Sequence, residues 1–72
     1  MTKTEFASTL DISKDNKWML ENLHVNSKPQ KVMLVRDGEI LCMGYSKADV
    51  YEDTKPQAGD KLYKVVLDIV EA

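Results

Sequence analysis

Between Lys31 and Gly44 the chain reads KVMLVRDGEILCMG, two apolar runs on either side of Asp37-Gly38. An Asp-Gly pair tolerates the positive φ angles of a type I′ turn, so this stretch predicts a β-hairpin over residues 31–44. A two-residue loop pairs Arg36 with Glu39, Val35 with Ile40, Leu34 with Leu41, Met33 with Cys42 and Val32 with Met43. Opposed residues share a face, which makes both faces of the ribbon apolar. Such a ribbon needs cover on both sides, within a sheet packed by helices or in a partner interface.

Upstream, the spacing is helical. Thr2-x-x-Glu5 has the form of a capping box, and Phe6 and Leu10 stand four apart, predicting a short helix within residues 2–12. Ser13 opens a second helix, with Asp15 in its first turn and Met19, Leu20 and Leu23 as an apolar stripe over 14–23. A strand over 17–25 competes, but its alternation breaks at Trp18-Met19-Leu20. Asn26–Pro29 interrupts regular structure. Ser46 caps a short helix over 47–53, which Lys55-Pro56 closes. After the Gly59-Asp60 turn, Tyr63, Val65, Leu67 and Ile69 alternate along one face, and their β-branched neighbours favour a strand over 61–70. The predicted class is α+β, a single domain over 1–72. It has two short N-terminal helices, a three-stranded, mainly antiparallel sheet built on the hairpin, and a helix near 47–53.

Composition narrows the function classes. With 72 residues, 43% apolar and 31% charged, the chain supports one small core and little room for a deep catalytic pocket. It begins at Met1 without a tag-like tail and reads as a complete small gene product. No apolar run approaches the ~18 residues of a membrane span, and the N-terminus lacks a signal-peptide core. Cys42 is the only cysteine, so no intrachain disulfide forms. These features predict a cytoplasmic protein without a membrane partner. Residues 1–36 carry six basic against four acidic side chains, and residues 37–72 carry four against eight. The basic half is where a polyanion would bind, yet Arg36 is the only arginine.

No pattern of catalytic or metal-binding groups emerges. Cys42 and His24 lack spaced companions for zinc, and Cys42 reads as a small core hydrophobe. Asp49, Glu52 and Asp53 lack the ligand spacing and glycine of a calcium loop and read as a solvated helix face. Gly38, Gly44 and Gly59 are too scattered to cradle a phosphate. No cofactor, metal or enzymatic activity is expected.

The segment EFASTLDISKDNKWML, Glu5–Leu20, resembles the helix-turn-helix of DNA-binding regulators. Phe6, Ala7 and Leu10 match its first helix, Ile12 its turn and Leu20 its second helix. The resemblance implies that Lys14, Asn16 and Lys17 face the major groove. It departs from the pattern at Asp11, where glycine usually turns the chain, and at Lys17, where an apolar residue packs inward. The acidic balance and single arginine turn the reading toward a protein partner.

Trp18 and Met19 adjoin Leu20, and three large apolar residues in a row cannot all face one core. Trp18, Met19, Tyr45 and Tyr51, with the acids Glu52 and Asp53, are the candidate protein-binding residues. The leading expectation is a small, non-catalytic intracellular protein that binds and modulates or inhibits a larger protein; a phage or mobile-element origin fits that picture. The alternatives are a helix-turn-helix DNA-binding regulator and a homo-oligomeric structural subunit, which the doubly apolar hairpin motivates.

Overall fold

The computed structural model describes residues 1–26 and 28–72. Strands β1 (Lys31–Arg36) and β2 (Glu39–Gly44) form the expected hairpin, and Asp37 and Gly38 adopt φ of 51° and 79°, as a type I′ turn requires. Arg36 pairs with Glu39 and Val35 with Ile40, as read from the sequence. Beyond that the register shifts: Leu34 pairs with Cys42, Met33 with Met43 and Val32 with Gly44, leaving Leu41 as an extra, exposed residue. This bulge corrects the uninterrupted pairing. It brings Met43 onto the face of Met33 and sends the small Cys42 and Gly44 to the other face.

Strand β3 (Lys61–Val65) pairs antiparallel with the free side of β1, and β4 (Ile69–Glu71) pairs antiparallel with β3. The sheet therefore has four strands, in the order β2-β1-β3-β4, rather than three. The expected single C-terminal strand folds back on itself at Val66–Asp68, where the Val66 amide donates to the Asp68 carbonyl at 2.8 Å. Leu67 stands at the tip, 83% exposed, while Tyr63, Val65 and Ile69 are buried. Because 65 and 69 pair across the turn, they share a face in a hairpin as they would in one long strand. The alternation could not distinguish the two.

Three helices cover this sheet. Helix α1 (Lys3–Ser8) starts at a complete capping box, with Thr2 accepting from the Glu5 amide and the Glu5 carboxylate accepting from the Thr2 amide, both at 3.1 Å. It ends before residue 12 because the Thr9 hydroxyl donates back to the Phe6 carbonyl at 2.7 Å and the Asp11 amide donates to Gly38 at 2.9 Å. Helix α2 (Lys14–Glu21) is capped by Ser13 and α3 (Lys47–Asp53) by Ser46, both as expected. The expected break over 26–29 includes Ser27, which lies outside the described residues; Asn26 beside it has φ of 69°.

The sheet separates two apolar layers. Phe6 and Leu23 pack with Met33, Val35, Ile40, Tyr63, Val65 and Ile69, so α1 and α2 cover one face. The Phe6 and Tyr63 rings meet edge to face, with centroids 4.9 Å apart. Leu34 points the other way, toward Cys42 and the buried Val50 of α3. A Cβ on Gly44 would lie 2.7 Å from the Asp49 Cβ, which shows how closely α3 lies against β2. The hairpin thus receives cover on both faces from its own chain.

Both outer edges of the sheet have partners. On β4, the Ile69 amide donates to the Met1 carbonyl at 2.8 Å, and the Met1 ammonium donates to the Ile69 carbonyl at 2.6 Å. On β2, the Ile40 amide donates to the side-chain oxygen of Asn16 at 2.9 Å.

One ion pair fixes the return from α3 to β3. Arg36 donates from Nε and Nη2 to the two carboxylate oxygens of Asp60, at 2.6 and 2.9 Å, and Nη2 also donates to the Lys55 carbonyl. The Arg36 hydrogen bonds hold the Asp60 carboxyl at about 2, against an ordinary 3.8, overcoming its burial, and the Gln57 amide helps. A carboxyl with a depressed folded-state pKa stabilises the fold above its unfolded value and loses that contribution as pH falls toward the folded one. Asp60→Asn should therefore lower the urea midpoint at pH values above 3.8, and the gap from the wild type should close as the pH falls toward 2. A gap that stays constant across this range would show that charge is not what Asp60 contributes.

Candidate functional site

The hairpin of α1 and α2 is built outward from Asn16. Its side-chain amide donates to the Asp11 carbonyl at 2.8 Å and the Gly38 carbonyl at 2.9 Å, and its oxygen accepts from the Ile40 amide. Ser13, while capping α2, also donates to the Glu39 carboxylate at 3.2 Å. The connection between the helices is thereby bonded to the turn of the β-hairpin. At the opposite end, the Lys3 ammonium donates to the Leu23 carbonyl at 3.1 Å, holding the start of α1 beside the end of α2.

Between the helices runs an open apolar groove of about 340 Å³. Ala7, Leu10 and Leu20 line it, with Lys3, Asp11, Lys17 and Glu21 around them and Ile12 at one end. Ile12 is fully exposed. The resemblance to a helix-turn-helix assigns this residue to the turn; it does lie between the two helices, and its side chain is exposed there. Ile12 precedes the Ser13 cap, the position from which an apolar side chain staples onto the fourth helical residue. That residue is Lys17, so the staple has no apolar partner and Ile12 is left free. The missing staple is a signal carried by the sequence, although residue type and periodicity do not single Ile12 out as a contact residue.

The sequence candidates divide between two surfaces. Trp18 is 61% exposed but lies about 200° around α2 from Leu20, away from the groove. Met19 is half-buried against the main core, which accounts for it without a partner. Tyr45 is exposed beyond β2; Tyr51 is half-buried, and Glu52 and Asp53 are exposed on α3, across the sheet from α1 and α2. Trp18 and the Glu52–Asp53 pair therefore do not form one surface. Lys14 and Lys17 are exposed, but Asn16 is only 2% exposed and its amide is committed to three backbone groups. Its assignment to the major groove is corrected: Asn16 joins helix to sheet and has no access to a base edge.

Among the described residues, no buried side-chain nitrogen or oxygen lacks a hydrogen-bond partner. The Cys42 thiol is half-buried, donates to the Val50 carbonyl at 3.5 Å and accepts from the Thr54 hydroxyl at 3.9 Å, so it helps seat α3. His24 is exposed. Among the described residues, no group of three or more His, Cys, Asp or Glu side chains is placed to hold a metal, and no helix is long and apolar enough to cross a membrane. No protein-family model, curated protein or solved structure matches the chain.

Proposed function

We propose that this is a non-catalytic protein-binding module that modulates a larger intracellular protein, with its contact surface at Ile12 and the groove between α1 and α2. One observation carries the reading: a fully exposed isoleucine stands at the end of an apolar groove, on a connection bonded to the β-hairpin. An isolated exposed apolar residue is ordinary, but one continuous with an apolar groove forms the centre of a contact patch. Because Asn16 and Ser13 hold the connection in place, little ordering is needed on binding, which favours affinity from a small area.

The test is affinity capture from a lysate of the source cell, with and without nuclease, comparing the wild type with Ile12→Lys and Trp18→Ala. Both side chains are well exposed, so both variants should unfold within about 0.5 kcal/mol of the wild type. A stoichiometric protein that resists nuclease and is lost with Ile12→Lys but kept with Trp18→Ala is the expected result. Loss with Trp18→Ala alone would move the contact surface to the far side of α2. Recovery of nucleic acid in place of protein would overturn the reading and direct attention to Lys14 and Lys17.

A further inference from the structure

Helix α1 ends at Ser8, and the chain beyond Thr9 crosses to the β-hairpin turn, where the Asp11 amide meets the Gly38 carbonyl. The end of the sheet beyond the helix is thereby left bare. A second depression, of about 280 Å³, opens there and shares no lining residue with the groove between α1 and α2. We propose that it binds a small zwitterion of the α-amino acid class. The Lys61 ammonium and the Tyr63 hydroxyl hold the ligand carboxylate, and the Asp37 carboxylate holds the ligand ammonium.

The Tyr63 hydroxyl is the group that lacks a partner. Among the described residues, Asn16 and Tyr63 are the buried side chains that carry nitrogen or oxygen. Asn16 makes three hydrogen bonds, whereas the Tyr63 hydroxyl makes none to a described residue, although Tyr63 is only 6% exposed. No nitrogen or oxygen sealed from solvent goes unbonded, so this hydroxyl reaches water, and the depression that Tyr63 lines is its opening. A tyrosine buried this deeply ordinarily finds a protein partner for its hydroxyl. Here the ring is fixed against Phe6, with centroids 4.9 Å apart, and the hydroxyl is held ready for an oxygen that the fold does not supply.

Two charges share the depression with this hydroxyl. Lys61 stands two residues before Tyr63 on β3, so both side chains leave the same face of the sheet. Asp37 stands on the β-hairpin turn. Both are exposed, and among the described residues neither belongs to an ion pair. A simple anion drawn by Lys61 is opposed by Asp37, and a simple cation drawn by Asp37 is opposed by Lys61. A molecule that carries both charges satisfies each. Size points the same way, because about 280 Å³ falls just short of the roughly 300–1,000 Å³ of drug-sized sites and suits a smaller molecule. Val35 supplies an apolar wall for a short side chain. Gly38 and Gly59, distant in sequence, meet here as bare backbone that a ligand can approach closely.

Titrating isotope-labelled protein with L-alanine and L-valine, while following the amide resonances of Thr9, Gly38, Gly59 and Lys61, reads this site directly. At least one of the two should give saturable shifts there, with a Kd on the order of 1 mM. Propionate and ethylamine are the deaminated and decarboxylated counterparts of alanine, and isovalerate and isobutylamine those of valine. Each counterpart should bind at least about tenfold more weakly than the amino acid it derives from. Tyr63→Phe keeps the ring against Phe6, Asp37→Asn keeps a residue suited to the positive φ of the turn, and Lys61→Met changes an exposed side chain, so all three should fold. Each should weaken amino-acid binding about tenfold or more, since each removes one bond to a charged group. The inference is overturned if neither amino acid gives saturable shifts at these amides below about 20 mM. It is equally overturned if a singly charged counterpart binds as tightly as its amino acid, or if Tyr63→Phe binds like the wild type.

Discussion

Replacing Asn16 with alanine should cost the domain about 3–5 kcal/mol, comparable to the whole stability of a small fold. The side chain is 2% exposed and serves three backbone groups at 2.8–2.9 Å: the carbonyls of Asp11 and Gly38 and the amide of Ile40. Gly38 keeps a second donor, the Asp11 amide, but the other two groups lose this partner where an unmet buried donor or acceptor costs about 1–3 kcal/mol. Urea unfolding followed by circular dichroism should place the alanine variant at less than half the wild-type midpoint, or find it already unfolded in buffer. Asn16→Asp separates donor from acceptor. It can still accept from Ile40 but presents a carboxylate to two carbonyl oxygens, so it should be at least as damaging. An aspartate variant as stable as the wild type would show that the two donated bonds carry little.

Phe6→Ala should cost about 3–5 kcal/mol by a different route. Phe6 is fully buried, and its ring meets Tyr63 at 4.9 Å and 63°. A six-residue helix has little stability of its own, so α1 depends on this anchor to stay docked. Removing the ring leaves a cavity between α1 and the sheet and ends the aromatic contact, so the near-ultraviolet signal of Tyr63 should change with it. Phe6→Leu keeps most of the volume and should cost less than about 1.5 kcal/mol. If alanine cost less than about 1 kcal/mol, α1 would be held by its hydrogen bonds alone.

These two residues also mark how far the fold is legible in the chain itself. Phe6 is visible as a core position because helical spacing and a capping box speak locally, and the same holds for the Asp37-Gly38 turn and the Ser13 and Ser46 caps. Asn16 reads as a surface residue because a polar side chain early in a helix is ordinarily solvated; its partners lie on the connection before α2 and on the β-hairpin. The bulge at Leu41 is hidden for a related reason. In a ribbon apolar on both faces, a shift of one residue changes no polarity pattern, and the shifted register sets Gly44, which has no side chain, where α3 comes close to β2. The reversal at Val66–Asp68 lacks glycine and proline, so a strand reads straight through it. For the candidate site, the aromatic residues draw attention by type, whereas Ile12 matters by position, as an apolar residue before a helix cap without a staple partner.

The partners on the two sheet edges bear on how this chain behaves in a crowded solution. An open strand edge is a template for another molecule's backbone, and stacked edges grow into cross-β fibres. Here Met1 occupies β4 at Ile69, Asn16 occupies β2 at Ile40, and the bulge at Leu41 bends the remainder of β2. Asn16 is thus a guard against fibrils as well as a clamp. Asn16 variants, which uncover β2 at Ile40, should form thioflavin-positive aggregate more readily than Asp60→Asn, which leaves both edge contacts in place.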